Sequence, residues 1–240
     1  MVKSVSDAME YRVENKYLIS DTDLAVLSAR LQHVMDYDVH QTGSCYQIRS
    51  LYFDDHTNRC MQENDAGVDI RKKYRIRTYD PNSGVIHLEI KEKANGLTKK
   101  RSCSLNSSEY TQLCDGTMPF VTDGRNPLNE LMLQHNCCGM APKAIIAYER
   151  TAFVHPTGNV RITFDRNILA SDRLDSFFDD HISGLVPVLP EGMHVLEVKF
   201  DEFLPDFIAR QLELGKLRQT AFSKYYLGRL ALQGDFAVDW

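Results

Sequence analysis

The sequence predicts an α+β fold in which about eight antiparallel strands are flanked by helices. Between residues 11 and 200, polar and apolar residues alternate in repeated segments with the period of two that is typical of strands. Turn-forming residues separate consecutive segments in the middle of the chain, and helical periodicity is limited to a few stretches. A chain of 240 residues can bury one core, and no low-complexity linker or internal repeat divides it. We therefore treat residues 1–240 as a single domain.

The alternating segments give the expected strands. They are residues 11–19, 46–54, 69–79, 85–93, 98–105, 143–154, 160–168 and 194–200. Residues 80–84 (Asp-Pro-Asn-Ser-Gly) and 94–96 (Ala-Asn-Gly) have the composition of tight turns. These turns join consecutive segments, so the middle of the chain is predicted to form an antiparallel meander.

Helices are predicted before, between and after the strands. Ser20, followed three residues later by Asp23, has the spacing of a capping pair that opens a helix. The apolar stripe of this helix is Leu24, Leu27, Leu31 and Val34. Further helical patterns cover residues 107–114, 127–135 and 205–232. The last pattern is interrupted near Gly215.

The overall charge indicates no particular partner. The chain has 28 Lys and Arg against 33 Asp and Glu, a net charge of -5, which does not predict nucleic-acid binding. The N-terminus lacks an apolar leader, and no apolar run approaches the roughly 18 residues of a membrane span. We therefore expect a cytoplasmic protein without a transmembrane segment. A membrane partner and the oligomeric state are left open.

The expected strands carry their charges on one face. Side chains two residues apart lie on the same face of a strand, so each segment has a polar and an apolar face. Cations outnumber anions on the polar faces. The cations are Arg12, Lys16, Lys73, Arg75, Arg77, Lys91, Lys93, Arg150, Arg161 and Lys199, and the anions are Glu10, Glu14, Glu89, Asp165 and Glu197.

Two arrangements explain this face. An open antiparallel sheet with one solvated face produces the same alternation. Opposed cations on neighbouring strands destabilise each other, however, unless an anion neutralises them. A sheet that closes into a tunnel has no edges and turns its polar face inward, where it can hold such an anion. Strand parity alone does not decide between the two.

Several short motifs add a resemblance to a known family through their order and spacing. The motifs are Glu14-Asn15-Lys16-Tyr17, Ser50-Leu51-Tyr52-Phe53-Asp54, Tyr74-Arg75-Ile76-Arg77-Thr78-Tyr79, Leu88-Glu89-Ile90-Lys91-Glu92-Lys93, Lys99-Lys100-Arg101, Tyr148-Glu149-Arg150, Leu196-Glu197-Val198-Lys199-Phe200 and Ser223-Lys224-Tyr225. Together they resemble the VTC domain, the polyphosphate polymerase module of the vacuolar transporter chaperone family, within the superfamily of triphosphate tunnel metalloenzymes. The resemblance implies a closed antiparallel β tunnel with the charged face inside and a C-terminal helix near one tunnel mouth.

The resemblance also implies roles for individual residues. The catalytic, phosphate-binding wall would consist of Arg75, Arg77, Lys91, Arg150 and Arg161. Further substrate contacts would come from Lys16, Lys93, Lys100, Tyr148, Lys199, Ser223 and Lys224. Glu197, with Glu14 and Glu89, would hold Mn²⁺ or Mg²⁺. Arginine suits such a wall because its planar fork matches phosphate oxygens.

The implied function is that of a phosphotransferase that moves the γ-phosphate of ATP to inorganic polyphosphate. Triphosphatases and adenylate cyclases of this superfamily carry E-x-E-x-K in the first strand, whereas this chain has Arg12-Val13-Glu14-Asn15-Lys16. Attack by water benefits from a carboxylate base, but a phosphate terminus is already anionic, so the missing carboxylate favours polymer synthesis. A triphosphatase in the same tunnel and a non-catalytic polyphosphate-binding module are the alternatives. The sequence contains no P-loop, H-E-x-x-H or G-x-S-x-G motif.

Overall fold

The computed structural model describes residues 12–41, 43–79, 85–213 and 217–235 and has an α+β architecture. The strands are β1 (Val13–Ser20), β2 (Asp36–Tyr37), β3 (Tyr46–Asp54), β4 (Arg71–Thr78), β5 (Ile86–Ala94), β6 (Leu97–Leu105), β7 (Ala141–His155), β8 (Val160–Ser171), β9 (Val186–Pro187) and β10 (Met193–Phe200). The helices are α1 (Asp21–Leu31), α2 (Arg59–Asp65), α3 (Ser107–Cys114), α4 (Asn126–Cys138), α5 (Asp206–Leu212) and α6 (Lys224–Gln233). None of these helices is both long and apolar enough to cross a membrane.

All the strands belong to one antiparallel sheet. Its main path runs β1, β10, β8, β7, β3, β4, β5, β6, with β2 beside β7 and β9 beside β8. Every segment expected from alternation is a strand on this path, with bounds that agree within a few residues. The predicted α+β class and the meander from β3 to β6 are confirmed.

The ends of the path, β1 and β6, are not joined by a ladder of hydrogen bonds. Where the structure describes them, they meet at one bridge, in which the backbones of Arg12 and Thr98 exchange hydrogen bonds of 3.1 and 3.3 Å. Across the same gap, the ammonium of Lys91 on β5 lies 2.6 Å from the carboxylate of Glu14 on β1. Strand pairing therefore does not confirm the predicted closure into a tunnel.

The apolar face of the sheet packs under the helices. Leu128 and Leu131 of α4 lie in one core cluster with Ile76 and Leu88 of β4 and β5. A second cluster joins α1, through residues such as Leu27, to the outer faces of β8 and β10. Burial of this face against helices stabilises the fold and leaves the charged face on the other side of the sheet.

Local signals in the sequence place several elements correctly. Ser20 and Asp23 form a capping box at the start of α1, as their spacing predicts. Asn95 and Gly96 both have positive φ, 52° and 76°, the backbone of a type I′ turn between β5 and β6. The Asp69 carboxylate accepts hydrogen bonds from both turn amides. The predicted turn at residues 80–84 lies outside the described residues.

Long-range contacts explain where the helix predictions fail. Residues 205–232 are expected to be helical with one break, but residues 217–223 are not helical, and part of this segment pairs with β1. The backbone of Gln219 bridges Tyr17, and the amide of Thr220 donates to the carbonyl of Lys16 at 2.9 Å. Pairing with an exposed strand edge competes here with the helical pattern. Gly215, the expected break, lies outside the described residues.

Gly228 sets how closely α6 approaches the sheet. A Cβ added here would lie 2.3 Å from Cδ1 of Ile146 and 3.3 Å from Cβ of Ala170, both fully buried. We expect Gly228→Ala to lower the free energy of unfolding by about 1 kcal/mol, because overpacking costs about 1–3 kcal/mol and the gain in helix propensity offsets about 1 kcal/mol. Urea denaturation followed by circular dichroism measures this change. A variant as stable as the wild type would contradict the prediction.

Candidate functional site

Two cavities lie against the charged face of the sheet. The first has a volume of about 490 Å³ and reaches Ser223 and Lys224 at the start of α6. The second has a volume of about 980 Å³ and reaches Asp38 and Arg161. The cavities share a set of lining residues that we call the waist: Glu14, Arg75, Arg77, Lys91, Thr98, Arg150 and Lys199.

Strand parity explains how these side chains meet. The waist residues come from six strands, and all of them except Thr98 belong to the polar faces expected from alternation. Arg77 and Arg150 are 5% and 8% exposed, and Glu89 and Glu197 are 2% and 4% exposed. These four side chains are thus largely withdrawn from solvent, unlike the polar face of a fully solvated sheet.

Glu14 is the central anion of the waist. The ammonium of Lys91 donates to both of its oxygens at 2.6 and 2.8 Å, and Lys16 and Lys199 lie 3.2 and 3.4 Å away. Burial would raise the pKa of Glu14, but these three cations lower it well below its usual value. Burial also lowers the pKa of Lys91, to about 7, despite the opposing effect of Glu14. Glu14 therefore contacts three cations, and cations outnumber carboxylates among the waist residues.

Glu89 orients two arginines of the predicted wall. Its Oε2 accepts from Nε of Arg75 at 2.8 Å and lies 3.6 Å from Arg77, and its Oε1 accepts from Lys100 at 3.1 Å. Burial would raise the pKa of Glu89, but Arg75, Arg77 and Lys100 lower it far below its usual value. Both oxygens are engaged by cations, so Glu89 is arranged as an ion-pair partner.

A second buried network links β7, β8 and α6. Arg150 donates to the two oxygens of Asp165 at 2.6 and 2.7 Å, and the ammonium of Lys224 lies 2.6 Å from the same carboxylate. The two cations also lie over the ring of Tyr148, at 5.3 and 4.9 Å from its centroid. Lys224 on an isolated helix would be expected to face solvent, but here it is 8% exposed.

Glu197 is the best candidate for holding a metal ion. Its buried Oε1 makes no hydrogen bond to a described residue, although the Lys199 ammonium lies 2.7 Å away. Burial and Glu14 raise the pKa of Glu197, and Lys199, Lys16 and Arg150 lower it, with a net value of about 2. The described residues contain no group of three or more His, Cys, Asp or Glu suited to a metal. Mg²⁺ and Mn²⁺ are commonly held by one or two carboxylates plus substrate phosphates, so Glu197 nevertheless fits such an ion. Glu14 would join it only by giving up a contact with Lys91.

The predicted site residues divide between the cavities. Arg75, Arg77, Lys91, Arg150, Glu14 and Lys199 lie at the waist. The first cavity alone is lined by Lys16, Lys93, Tyr148, Glu197, Ser223 and Lys224. Arg161 and Lys100 line only the second cavity, where Arg161 is paired with Asp38 and donates to the Tyr46 hydroxyl at 3.1 Å. Arg161 therefore lies outside the waist, although it lines the second cavity together with Arg75, Arg77 and Arg150.

Three further residues belong to the site. The Tyr52 hydroxyl accepts from Arg75 at 3.0 Å, and Tyr52 stacks on Tyr225 at 5.1 Å, which connects the waist to α6. Lys73 lines the first cavity, and Asp165 holds Arg150 and Lys224. Parity identifies the faces of Lys73 and Asp165 but not their contacts with α6, because those depend on tertiary packing.

Comparisons with known protein families and sequences gave one match. A family model described as the VTC domain matches residues 11–233. No curated protein sequence matches the chain.

Solved structures of similar fold include three putative adenylyl cyclases. One from Bacillus halodurans has 13% identity and a TM-score of 0.50 and covers 86% of this chain and 89% of its own. One from Hippeastrum, described as having a dominant triphosphatase activity, has 14% identity and a TM-score of 0.50. The match covers 92% of this chain and 95% of that chain. One from Vibrio parahaemolyticus has 14% identity and a TM-score of 0.50, and the match covers 91% of this chain and 97% of that chain. At these identities the likeness establishes the fold alone.

Proposed function

Since this chain belongs to the VTC domain family, we propose that it is a polyphosphate polymerase that transfers the γ-phosphate of ATP to a growing inorganic polyphosphate chain. The reaction would take place in a closed, cationic tunnel formed by the sheet. ATP and polyphosphate are the proposed partners, and Mn²⁺ or Mg²⁺ is the proposed cofactor.

The observation that carries this proposal is the waist shared by the two cavities. A linear polyanion that passes from one cavity to the other must cross a ring of arginines and lysines. The carboxylates that pair with these cations are Glu14, Glu89, Asp165 and Glu197. They are outnumbered by the lysines and arginines that line the two cavities, and phosphate oxygens would neutralise the excess. Guanidinium and ammonium groups bind the oxygens of any phosphate unit, and every internal unit of polyphosphate is the same.

The same groups suit phosphoryl transfer. A terminal oxygen of the polyphosphate chain forms a bond to the γ-phosphorus, and the bond from that phosphorus to the β,γ-bridging oxygen breaks to release ADP. Charge on the transferred group is stabilised by Arg75, Arg77 and Arg150, while Lys91 and Lys16 add positive charge. A divalent ion on Glu197 and Glu14 would neutralise phosphate charge when it is bound. Arg161, Lys93, Lys100, Lys199 and Lys224 would contact other phosphates of the chain.

The carboxylates favour transfer to phosphate over transfer to water. A general base works best with a pKa near the operating pH, but the pKa values of Glu14, Glu89 and Glu197 all lie below their usual values. A phosphate terminus needs no such base. Triphosphate hydrolysis is the second candidate because Glu14 and Glu197 are both retained, and a non-catalytic polyphosphate-binding module is the third.

Incubation with ATP and Mn²⁺, followed by gel separation of the products, tests the proposal. We expect long polyphosphate from the wild type and an about 100-fold lower rate from Arg75→Ala, the usual effect of removing one charge-stabilising donor. Lys72→Ala is a matched control, because Lys72 lies on the same strand but pairs with Glu130 at 2.9 Å on the other face. Release of orthophosphate alone would favour the triphosphatase, and tight binding without turnover would favour the binding module. Unchanged activity in Arg75→Ala would remove the waist from the mechanism.

The cytoplasm is the proposed compartment. All six cysteines are free, as expected where thiols are kept reduced. ATP is also available there for the proposed reaction.

A further inference from the structure

Lys73 is a cation of the first cavity that lacks a carboxylate partner in the described part of the chain. Its ammonium donates to Oδ1 of Asn64 and to Oγ of Ser223, each at 2.7 Å, and both acceptors are neutral. Lys16, Lys91 and Lys199 all contact Glu14 instead. Lys73 therefore differs from these three lysines of the same cavity.

An unpaired cation in this position is unfavourable unless an anion joins it. Burial lowers the pKa of Lys73 well below its usual value, and repulsion from Lys16 and Lys91 lowers it further. Removing an ammonium from water is costly, and neutral hydrogen bonds compensate only part of that cost. The surroundings of Lys73 thus have the properties of an anion site whose anion comes from outside the chain.

The two acceptors can also contact an anion. The Ser223 hydroxyl accepts from Lys73 and from the amide of Tyr226, so its own hydrogen is free to donate. Ser223 is the N-cap of α6, where the helix dipole favours negative charge. Asn64 carries an amide NH₂ donor beside the oxygen that holds Lys73. All three residues line the first cavity.

We infer that Lys73, Asn64 and Ser223 form a subsite for a terminal phosphate group at the α6 end of the first cavity. A terminal phosphate has three non-bridging oxygens and a second ionisable proton with a pKa of about 6, whereas an internal phosphate of a chain has two such oxygens and one charge. A cation without a partner, together with hydroxyl and amide donors, matches the end group better. The group could belong to free orthophosphate or to the end of a polyphosphate chain. The inference rests on the proposed function for its ligand class.

Equilibrium binding to linear and cyclic phosphates tests the inference. Linear tripolyphosphate has terminal phosphates, whereas cyclic trimetaphosphate has none. By calorimetry in metal-free, low-salt buffer, we expect Lys73→Met to weaken tripolyphosphate binding about tenfold, the loss of one charge-assisted contact, and trimetaphosphate binding less than twofold. Lys72→Met removes the same charge from the outer face of β4 and should change neither affinity.

A second variant separates binding from folding. Asn64→Asp places a carboxylate beside Lys73, so it should abolish the preference for linear over cyclic phosphate and raise the Tm. Lys73→Met should also melt no lower than the wild type, because it removes a partly buried cation that has no carboxylate partner among the described residues. Equal weakening of both ligands by Lys73→Met, or no weakening of either, would overturn the subsite.

Orthophosphate distinguishes the source of the group. If the wild type binds millimolar orthophosphate and Lys73→Met does not, the subsite accepts free phosphate. If the wild type binds no orthophosphate but still prefers the linear phosphate, the subsite accepts chain ends only. The result is independent of the proposed activity. A protein that makes no polyphosphate can still show the linear preference, and an active polymerase can lack it.

Discussion

Replacing Asp165 with Ala is expected to lower the free energy of unfolding by about 3–5 kcal/mol, the typical cost of removing one partner from a buried ion pair. Asp165 is fully buried, and its oxygens accept from Arg150 and Lys224 at distances of 2.6–2.7 Å. Without the carboxylate, both cations stay buried and lose their closest partner. Thermal denaturation should show the loss as a fall in Tm of roughly 10 °C for a chain of this size.

A partly exposed pair provides the control for this loss. Arg12 and Asp201 are 2.7 Å apart, and each side chain is 27% exposed. Asp201→Ala should cost about 1 kcal/mol or less, because solvent screens such pairs. An equal loss in the two variants would contradict the importance assigned to the buried network.

The effect of Asp165 should also depend on pH. Burial would raise its pKa, but Arg150 and Lys224 lower it well below the usual value of about 3.9. A carboxyl group with a lowered folded pKa stabilises the fold above its unfolded pKa, and the contribution is lost as pH falls through the folded pKa. The difference in unfolding free energy between wild type and Asp165→Ala should be constant above about pH 5 and narrow below about pH 4. A difference that widens in acid would contradict this assignment.

A bound polyanion should partly compensate for the missing carboxylate. Arg150 and Lys224 both line the first cavity. If phosphate oxygens reach them, tripolyphosphate should raise the Tm of Asp165→Ala by more than it raises the Tm of the wild type. An equal or smaller increase would show that the two cations do not contact the ligand.

Much of the sheet follows from the sequence because period-two alternation is a local signal. It gives the faces of Arg75, Arg77 and Lys91 correctly, and short-range chemistry gives the Ser20 cap and the Asn95-Gly96 turn. The direction of the charged face does not follow from alternation. An open sheet with a solvated polar face and a tunnel with an inward polar face have the same alternating pattern. The prediction of a tunnel therefore depended on the resemblance of the motifs to a known family.

Contacts between distant segments were not predictable in the same way. Asp54 caps α2 through the amides of Cys60 and Met61 and also accepts from the Tyr225 hydroxyl, so α2 depends on a strand and on α6. Helix α2 has seven residues and no apolar stripe that would predict it. The surroundings of Lys73 likewise depend on hydrogen bonds to Asn64 and Ser223, which are far apart in sequence. These contacts form only when the strands are in register.

The register also separates the three predicted metal ligands. Glu14 lies opposite Lys199, and Glu197 lies opposite Lys16, so these two carboxylates are diagonal neighbours on β1 and β10. Glu89 lies on β5 with both oxygens held by cations. Glu14 likewise has both oxygens held, by Lys91, so Glu197, whose Oε1 makes no hydrogen bond to a described residue, is the carboxylate of the three that best suits the proposed metal ion.

Glu197→Gln is expected to lower kcat for polyphosphate synthesis about 100-fold, or about 2.7 kcal/mol of transition-state stabilisation, because the bound ion would lose its main carboxylate. The half-saturating Mn²⁺ concentration should rise at least tenfold, the order of effect expected when a metal site is disrupted. Binding of tripolyphosphate without metal should be as tight as in the wild type or tighter, since the variant removes an anion from a cationic cavity.

Glu89→Gln removes the same charge and is the matched control. Without the Glu89 carboxylate, Arg75 and Arg77 lose an ion-pair partner, so stability and activity should both fall. The Mn²⁺ dependence should stay close to that of the wild type. This contrast separates a metal ligand from a residue that orients arginines, because only the ligand changes how much metal the reaction requires. An unchanged Mn²⁺ requirement in Glu197→Gln, or equal shifts in the two variants, would remove Glu197 from the metal site while leaving the phosphate-binding waist intact.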